Sequence, residues 1–300
     1  MWSGLVNDGE EMEKKNIERE IKDFLYLAEF GENKSLNTVR SMKKDLYQMA
    51  QYLYDTEKIE NSMEIDSVML RSFLAKLQED GITKRTINRK LSSMRSFFKY
   101  LVKNKLINQS PIEVIASPSF YVEKPDILSI EEINRLREAI SLKNTNGLRD
   151  RLILELLYSS GITSNEMLGV GESVFDLDRR ELYVANGKNR RVVFFSERTR
   201  EFFKKYVESK KEKYKDRYNP DILFVNGSAT RLSDRSLRRI IDRYALKAGI
   251  EREISPYSFR HTFAVHMLSN GMDILYLKEL MGHVTLESTK IYQELVKIKV

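Results

Sequence analysis

Apolar residues recur every three or four positions along most of the chain, the pattern of helices that turn one face inward. Ile17, Ile21, Phe24, Leu25 and Ala28 predict a first helix. Ser35 offers a side-chain cap to a second, in which Val39, Met42, Leu46, Met49 and Leu53 share a face. Asp66 or Ser67 starts a third, carrying Val68, Leu70, Phe73, Leu74 and Leu77. Gly81 ends it, and Thr83 opens a fourth with Ile87, Leu91, Met94, Phe98 and Leu101. Four or five such helices make a small bundle.

Pro111, Pro118 and Pro125 then break the pattern, so residues 108–127 read as a linker longer than an ordinary loop. The second half opens at Ser129-Ile-Glu-Glu132, a capping box. Helices are expected at about 129–141 and 147–160, with another after Gly161. The period changes to two at Glu181–Val184 and Arg191–Phe195, on either side of Asn186-Gly187-Lys188-Asn189. That is a β-hairpin with its turn chemistry in place. A helix over 197–215, a short strand at 222–225 and a helix over 233–248 follow. Phe259, Phe263, Val265 and Met267, then Ile274, Leu277, Leu280 and Met281, give helical spacing on either side of Gly271. Ser288–Leu295 carries a last short helical pattern. The fold class is mainly α, with a tail at 1–13, a helical bundle over 14–107, and a mostly α domain over 128–300 holding a small β-sheet.

Composition changes this picture in three places. The 300 residues carry a formal charge of +7 and a pI near 9.2, which favours an anionic partner. No cysteine is present, which excludes disulfides and thiolate metal sites and fits a reducing cytoplasm; three histidines make a His-rich metal cluster a poor expectation. No apolar run approaches the roughly 18–20 residues of a membrane span, and no secretory signal is visible. The charge is also uneven. Between Gly81 and Lys105 there are eight basic residues and no acidic one. A helix this one-sided suits phosphate contacts, with Lys84, Arg85, Arg89, Lys90 and Arg95 as the candidates for DNA binding, against the plainer reading of a solvated face.

The C-terminal stretch places Arg260, His283 and Tyr292 within 33 residues, on three successive helical patterns. A guanidinium suits fork-like recognition of a phosphate, and a phenol can act as a covalent nucleophile. His261 and His266 read as structural residues of their helix.

The motifs Tyr257-Ser-Phe-Arg260-His261, Met281-Gly282-His283 and Tyr292 nine residues later resemble those of the tyrosine recombinases, particularly the Xer-type enzymes and their phage and transposon integrase relatives. The segment TKRTINRKLSSMRSFFKYLV resembles the end of their SAM-like core-binding domain. The resemblance covers about residues 15–298. It implies site-specific recombination of double-stranded DNA, as in chromosome dimer resolution or mobile-element integration, by a homo- or hetero-oligomer assembled as a tetrameric synapse. Tyr292 would attack a phosphate to give a 3′-phosphotyrosyl link and a free 5′-hydroxyl. Arg260 would bind that phosphate, His283 would bond it or assist proton transfer, and Lys188 would protonate the leaving oxygen. The bond energy stays in the tyrosyl ester, so no cofactor and no metal are implied.

Two positions depart from the family pattern. Thr163 stands where Gly-Leu-Arg-x-x-Glu-Leu has its arginine, and Tyr257 stands for the first histidine of His-x-x-Arg. Losing one preorganised donor to a developing oxyanion typically costs about 10²–10³ in rate, so slow cleavage is expected. The alternative is a recombinase-like protein that binds DNA or regulates a partner with impaired cutting. A relaxing enzyme of the type IB topoisomerase kind would share the nucleophile but fits the short chain and motif order less well.

Overall fold

Local caps decide where the helices begin. The computed structural model describes residues 17–32, 34–119, 125–186 and 189–299, and it divides the chain into two compact units, Met1–Val122 and Glu123–Val300. In the first, α1 (Ile17–Tyr26) runs on into a π-helical turn at Leu27–Gly31. Ser35, Asp66 and Thr83 then accept hydrogen bonds from backbone N–H groups two or three residues ahead. They open α2 (Leu36–Glu57), α3 (Ser67–Glu79) and α4 (Lys84–Lys103). These are the caps the sequence offers, and they satisfy donors that the first helical turn leaves without partners. Ile21, Phe24, Leu46, Met49, Leu53, Leu70, Phe73, Leu91, Met94, Phe97 and Phe98 meet in the core of the bundle.

The segment read as a linker is, up to residue 119, part of this first unit. Ile112 and Ile115 are buried in its core. Arg95 donates to Ile115 O and Ser117 Oγ, and Asn88 donates to Pro118 O. Three prolines marked this stretch as a linker; within it Ile112 and Ile115, at a spacing of three, hold the chain to the core of the first unit.

The second unit contains α5 (Ile130–Glu138), α6 (Thr145–Ser160), α7 (Ser164–Gly169), β1 (Phe175–Asp176), β2 (Glu181–Asn186) and β3 (Asn189–Phe194). Then come α8 (Glu197–Tyr214), α9 (Asp234–Lys247), α10 (Pro256–Ser269), α11 (Ile274–Met281) and α12 (Glu287–Lys299). The predicted capping box at Ser129 and Glu132 forms. The predicted hairpin forms as β2 against β3, antiparallel, with Leu182 opposite Val193 and Val184 opposite Arg191. A two-residue β1 completes a three-stranded sheet of order β1-β2-β3. Leu182, Val184 and Val193 are buried while Tyr183 and Phe194 are about half exposed, the alternation a one-sided sheet requires. The strand expected at 222–225 is reduced to one bridge, Val225 with Arg231, because the chain turns back at Asn226, whose N–H reaches Thr230 O.

The large core of this unit lies among α5, α6, α8, α9 and the sheet. A second, smaller cluster joins Phe263, Ala264, Val265, Leu277, Met281 and Tyr292 from α10, α11 and α12. Among the described residues no helix is long and apolar enough to cross a membrane.

Candidate active site

Pro256 fixes the first turn of α10, and Ser258 Oγ accepts from Ser255 N at 3.1 Å. One turn on, Arg260 is only 7% exposed. Its guanidinium donates to the carbonyls of Gly161 and Met281, at the ends of α6 and α11. Both are C-terminal carbonyls that lack an intrahelical partner and carry the negative end of a helix dipole. Gly161 has to be glycine here: its φ is +60°, and a Cβ would lie 2.4 Å from the Phe263 ring. Burial and then the neighbouring Arg191 lower the Arg260 pKa from its ordinary value. An arginine stays charged under such pressure, so the surroundings hold an incompletely compensated cation.

Gly282 closes α11 in the left-handed conformation and turns His283 back over the helix ends. His283 Nδ1 lies 2.8 Å from Thr289 Oγ1. Burial, reinforced by Arg260 and Arg191, pushes the imidazole down to about 4, so it is neutral at pH 7. Tyr292 is 3% exposed, and its ring stacks against His283 with centroids 6.3 Å apart. Burial raises the phenol's pKa although Arg260 pulls the other way, so the hydroxyl holds its proton.

That hydroxyl is 2.9 Å from His261 Nδ1. Sequence reasoning assigned His261 a structural part and missed this contact. The signal available was its place on the face of α10 that also carries Arg260 and Tyr257, since Tyr257 lies one helical turn before it, with rings 6.4 Å apart. Burial and Arg260 lower the His261 pKa, which keeps the ring neutral and able to accept a proton. Tyr257 is half exposed, and His266 Nδ1 lies 3.2 Å from Tyr158 Oη, away from the cluster's reacting groups.

Thr163 is the N-cap of α7, in a capping box with Glu166. Its hydroxyl and its backbone N–H donate to Glu166 Oε2, at 2.7 and 2.9 Å. The other partner of Glu166 is Arg191 of β3, which donates to both carboxylate oxygens and, through Nε, to Leu280 O at 2.8 Å. Burial tends to raise the Glu166 pKa, but the bonds from Arg191 and Thr163 outweigh it and the group stays ionised. Lys188 lies outside the described residues.

The basic helix divides into two sets. Lys84 and Arg85 are exposed. Lys90, expected to meet phosphate, is instead 4% exposed, with Nζ 3.1 Å from Asp45 Oδ1 and 2.6 Å from Gln48 Oε1. Arg89 forks onto the same Asp45, Ser93 donates to it at 2.9 Å, and Arg95 is engaged with Ile115 and Ser117. Lys90 is turned inward for a simple reason. Residues 90 and 93 fall on the inward face with Leu91, Met94 and Phe97, and the compensating carboxylate comes from α2, invisible in a local charge count.

Comparison with known proteins places both halves of the chain. The phage integrase family matches residues 127–297, and the phage integrase N-terminal SAM-like domain matches residues 21–105. The chain is 34% identical over 283 residues to tyrosine recombinase XerC of Syntrophus aciditrophicus, covering 91% of each. It is 31% identical to tyrosine recombinase XerD of Oceanobacillus iheyensis, over 94% of this chain and 96% of that one. Its fold is similar to the XerH site-specific recombinase bound to palindromic difH substrate in a post-cleavage complex, with TM-score 0.72 at 22% identity, covering 93% of this chain and 81% of that chain. The Tn1549 transposon integrase in complex with a circular intermediate DNA gives 0.71 at 18% identity, covering 93% and 95%.

Proposed function

Because the chain belongs to the phage integrase family of tyrosine recombinases, we propose that it recombines double-stranded DNA at specific sites with Tyr292 as nucleophile. The observation that carries this reading is the contact of the Tyr292 hydroxyl with a neutral His261, beside Arg260 and His283. Nucleophile and base are within hydrogen-bond reach, as general-base activation needs.

In the proposed step His261 Nδ1 takes the phenolic proton as the Tyr292 oxygen attacks phosphorus. The bond from phosphorus to the 5′-oxygen breaks, leaving a 3′-phosphotyrosyl ester. Arg260 and His283 bond the non-bridging oxygens, whose charge grows in the transition state, where preorganised donors count most. Lys188 is proposed to give the departing 5′-oxygen its proton, on the strength of the family motif. A 5′-hydroxyl from a partner strand reverses the chemistry. The first unit, with Lys84 and Arg85 facing solvent, is taken to grip the duplex, and the working form to be an oligomer on DNA.

The test is incubation with a nicked duplex bearing the cognate site. The unaltered chain should give a covalent protein–DNA product, and Tyr292→Phe none, with affinity within about twofold because only the attacking oxygen is lost. Product from the phenylalanine variant moves the nucleophile elsewhere. No product from the unaltered chain leaves the DNA-binding reading in its place.

A further inference from the structure

Thr163 leaves this site without the arginine of the family pattern, yet a second guanidinium stands close to Arg260. It belongs to Arg191, whose strand position faces inward with Val193, in register with buried Val184. Resting on the strand-cutting reading above, we propose that Arg191 contacts the scissile phosphate alongside Arg260 and supplies the charge that Thr163 lacks.

Placement is the first support. Arg191 Nε bonds the carbonyl of Leu280 and Arg260 bonds that of Met281, so the two guanidinium groups are anchored on consecutive residues just before Gly282 and His283. Each is felt by the same neighbours: Arg191 lowers the pKa of Arg260, and both lower that of His283. Gly282 lets this happen. A Cβ there would lie 3.1 Å from Arg191 Nη1 and 3.2 Å from its Cδ, so the bare backbone admits the guanidinium beneath the turn that carries His283.

Charge balance is the second. Among the described residues Arg191 pairs with the Glu166 carboxylate while Arg260 bonds the carbonyls of Gly161 and Met281 and forms no ion pair, and His283 and His261 are both held neutral. The cluster therefore keeps a surplus positive charge in a largely buried place, which is costly until an anion enters. A phosphodiester carries the charge that balances it. Donor supply agrees. Of the five N–H groups of Arg191, three go to Leu280 and Glu166, which leaves one on each terminal nitrogen. Thr163 contributes no charge and spends its hydroxyl on the same Glu166, so it helps to hold the carboxylate on which Arg191 is spread.

The plainer alternative is that Arg191 only neutralises Glu166. A double-mutant cycle on the nicked cognate duplex separates the two, scored by Tyr292-dependent covalent product alongside DNA affinity and thermal melting. Arg191→Gln should cut the rate of product formation by about 10²–10³ with affinity kept, the scale of one lost oxyanion donor. Since that change leaves Glu166 buried without its cation, Arg191→Gln with Glu166→Gln serves as the second variant and should show the same loss in a chain with no stranded carboxylate. Thr163→Arg should raise the rate at least tenfold more in the Arg191→Gln background than in the unaltered chain. A scissile methylphosphonate, which lacks the anionic oxygen, should shrink the Arg191→Gln deficit to under about tenfold, a change no purely structural role would produce. Full activity of the double glutamine variant, equal gains from Thr163→Arg in both backgrounds, or an undiminished deficit on the methylphosphonate would each overturn the proposal. If the unaltered chain forms no covalent product, the strand-cutting reading fails first, and this inference falls with it.

Discussion

At the scale of single residues, the two buried histidines tie the chemistry to pH. Folding takes His283 from its ordinary 6.5 down to about 4, and burial lowers His261 as well. Between those values the unfolded chain binds more protons than the folded one, so stability is full above about pH 6.5 and falls as pH drops toward 4. The melting temperature should decline through that window, and His283→Asn should reduce the decline; a flat profile in the unaltered chain would contradict the burial seen here. The same neutrality governs activity. Covalent capture should be level from about pH 8 to 6.5 and fall only at a lower pH, because burial and Arg260 hold the His261 pKa below its ordinary value. His261→Gln should slow capture by about 10²-fold or more and abolish the acid limb, because glutamine keeps the contact without a basic nitrogen. An unchanged limb in that variant would assign the base to another group.

At the scale of elements, what was legible was local. Ser35, Asp66, Thr83 and Ser129 announce their helices because a cap acts over three residues, and Asn-Gly-Lys-Asn announces the hairpin for the same reason. Arg260, His283 and Tyr292 were legible through motif spacing. The contacts that change the picture are not local. His261 meets Tyr292 across 31 positions, Arg191 meets Glu166 across 25, and Lys90 meets Asp45 across 45, so no window on the sequence could pair them. The last pair makes a clear prediction for α2 and α4. Asp45→Ala leaves Lys90 buried without its carboxylate, which should cost roughly 3–5 kcal/mol and lower the melting temperature of the first unit by about 10 °C or more. Asp45→Leu with Lys90→Met should recover most of that loss, since no buried charge remains. A fall of under about 2 °C for Asp45→Ala would mean that Lys90 reaches water easily.

At the scale of the whole molecule, a net charge of +7 is shared among 51 basic and 44 acidic side chains, so the total says less about DNA than which cations are free. In α4 the charge count overstates the number of cations left free to meet an anion. Arg89 and Lys90 converge on Asp45, and Arg95 holds residues 115 and 117, whereas Lys84 and Arg85 have no ion pair among the described residues. Each phosphate neutralised by such a free cation releases counterions and steepens the fall of affinity with salt by about 0.9 units of log–log slope. Lys84→Ala with Arg85→Ala should therefore flatten the salt slope by about two units across all duplex sequences, while melting stays put. Arg95→Ala should do the reverse. Losing its bonds to the Ile115 carbonyl and Ser117 loosens the chain that leaves the bundle, so melting should drop with the slope nearly unchanged. Fluorescence anisotropy titrations from about 50 to 200 mM salt, run beside melting curves, read both quantities. If the Lys84 and Arg85 pair leaves the slope intact and Arg95 alters it, the bundle meets DNA with a different face, and the free cations at the start of α4 are ordinary solvated charge.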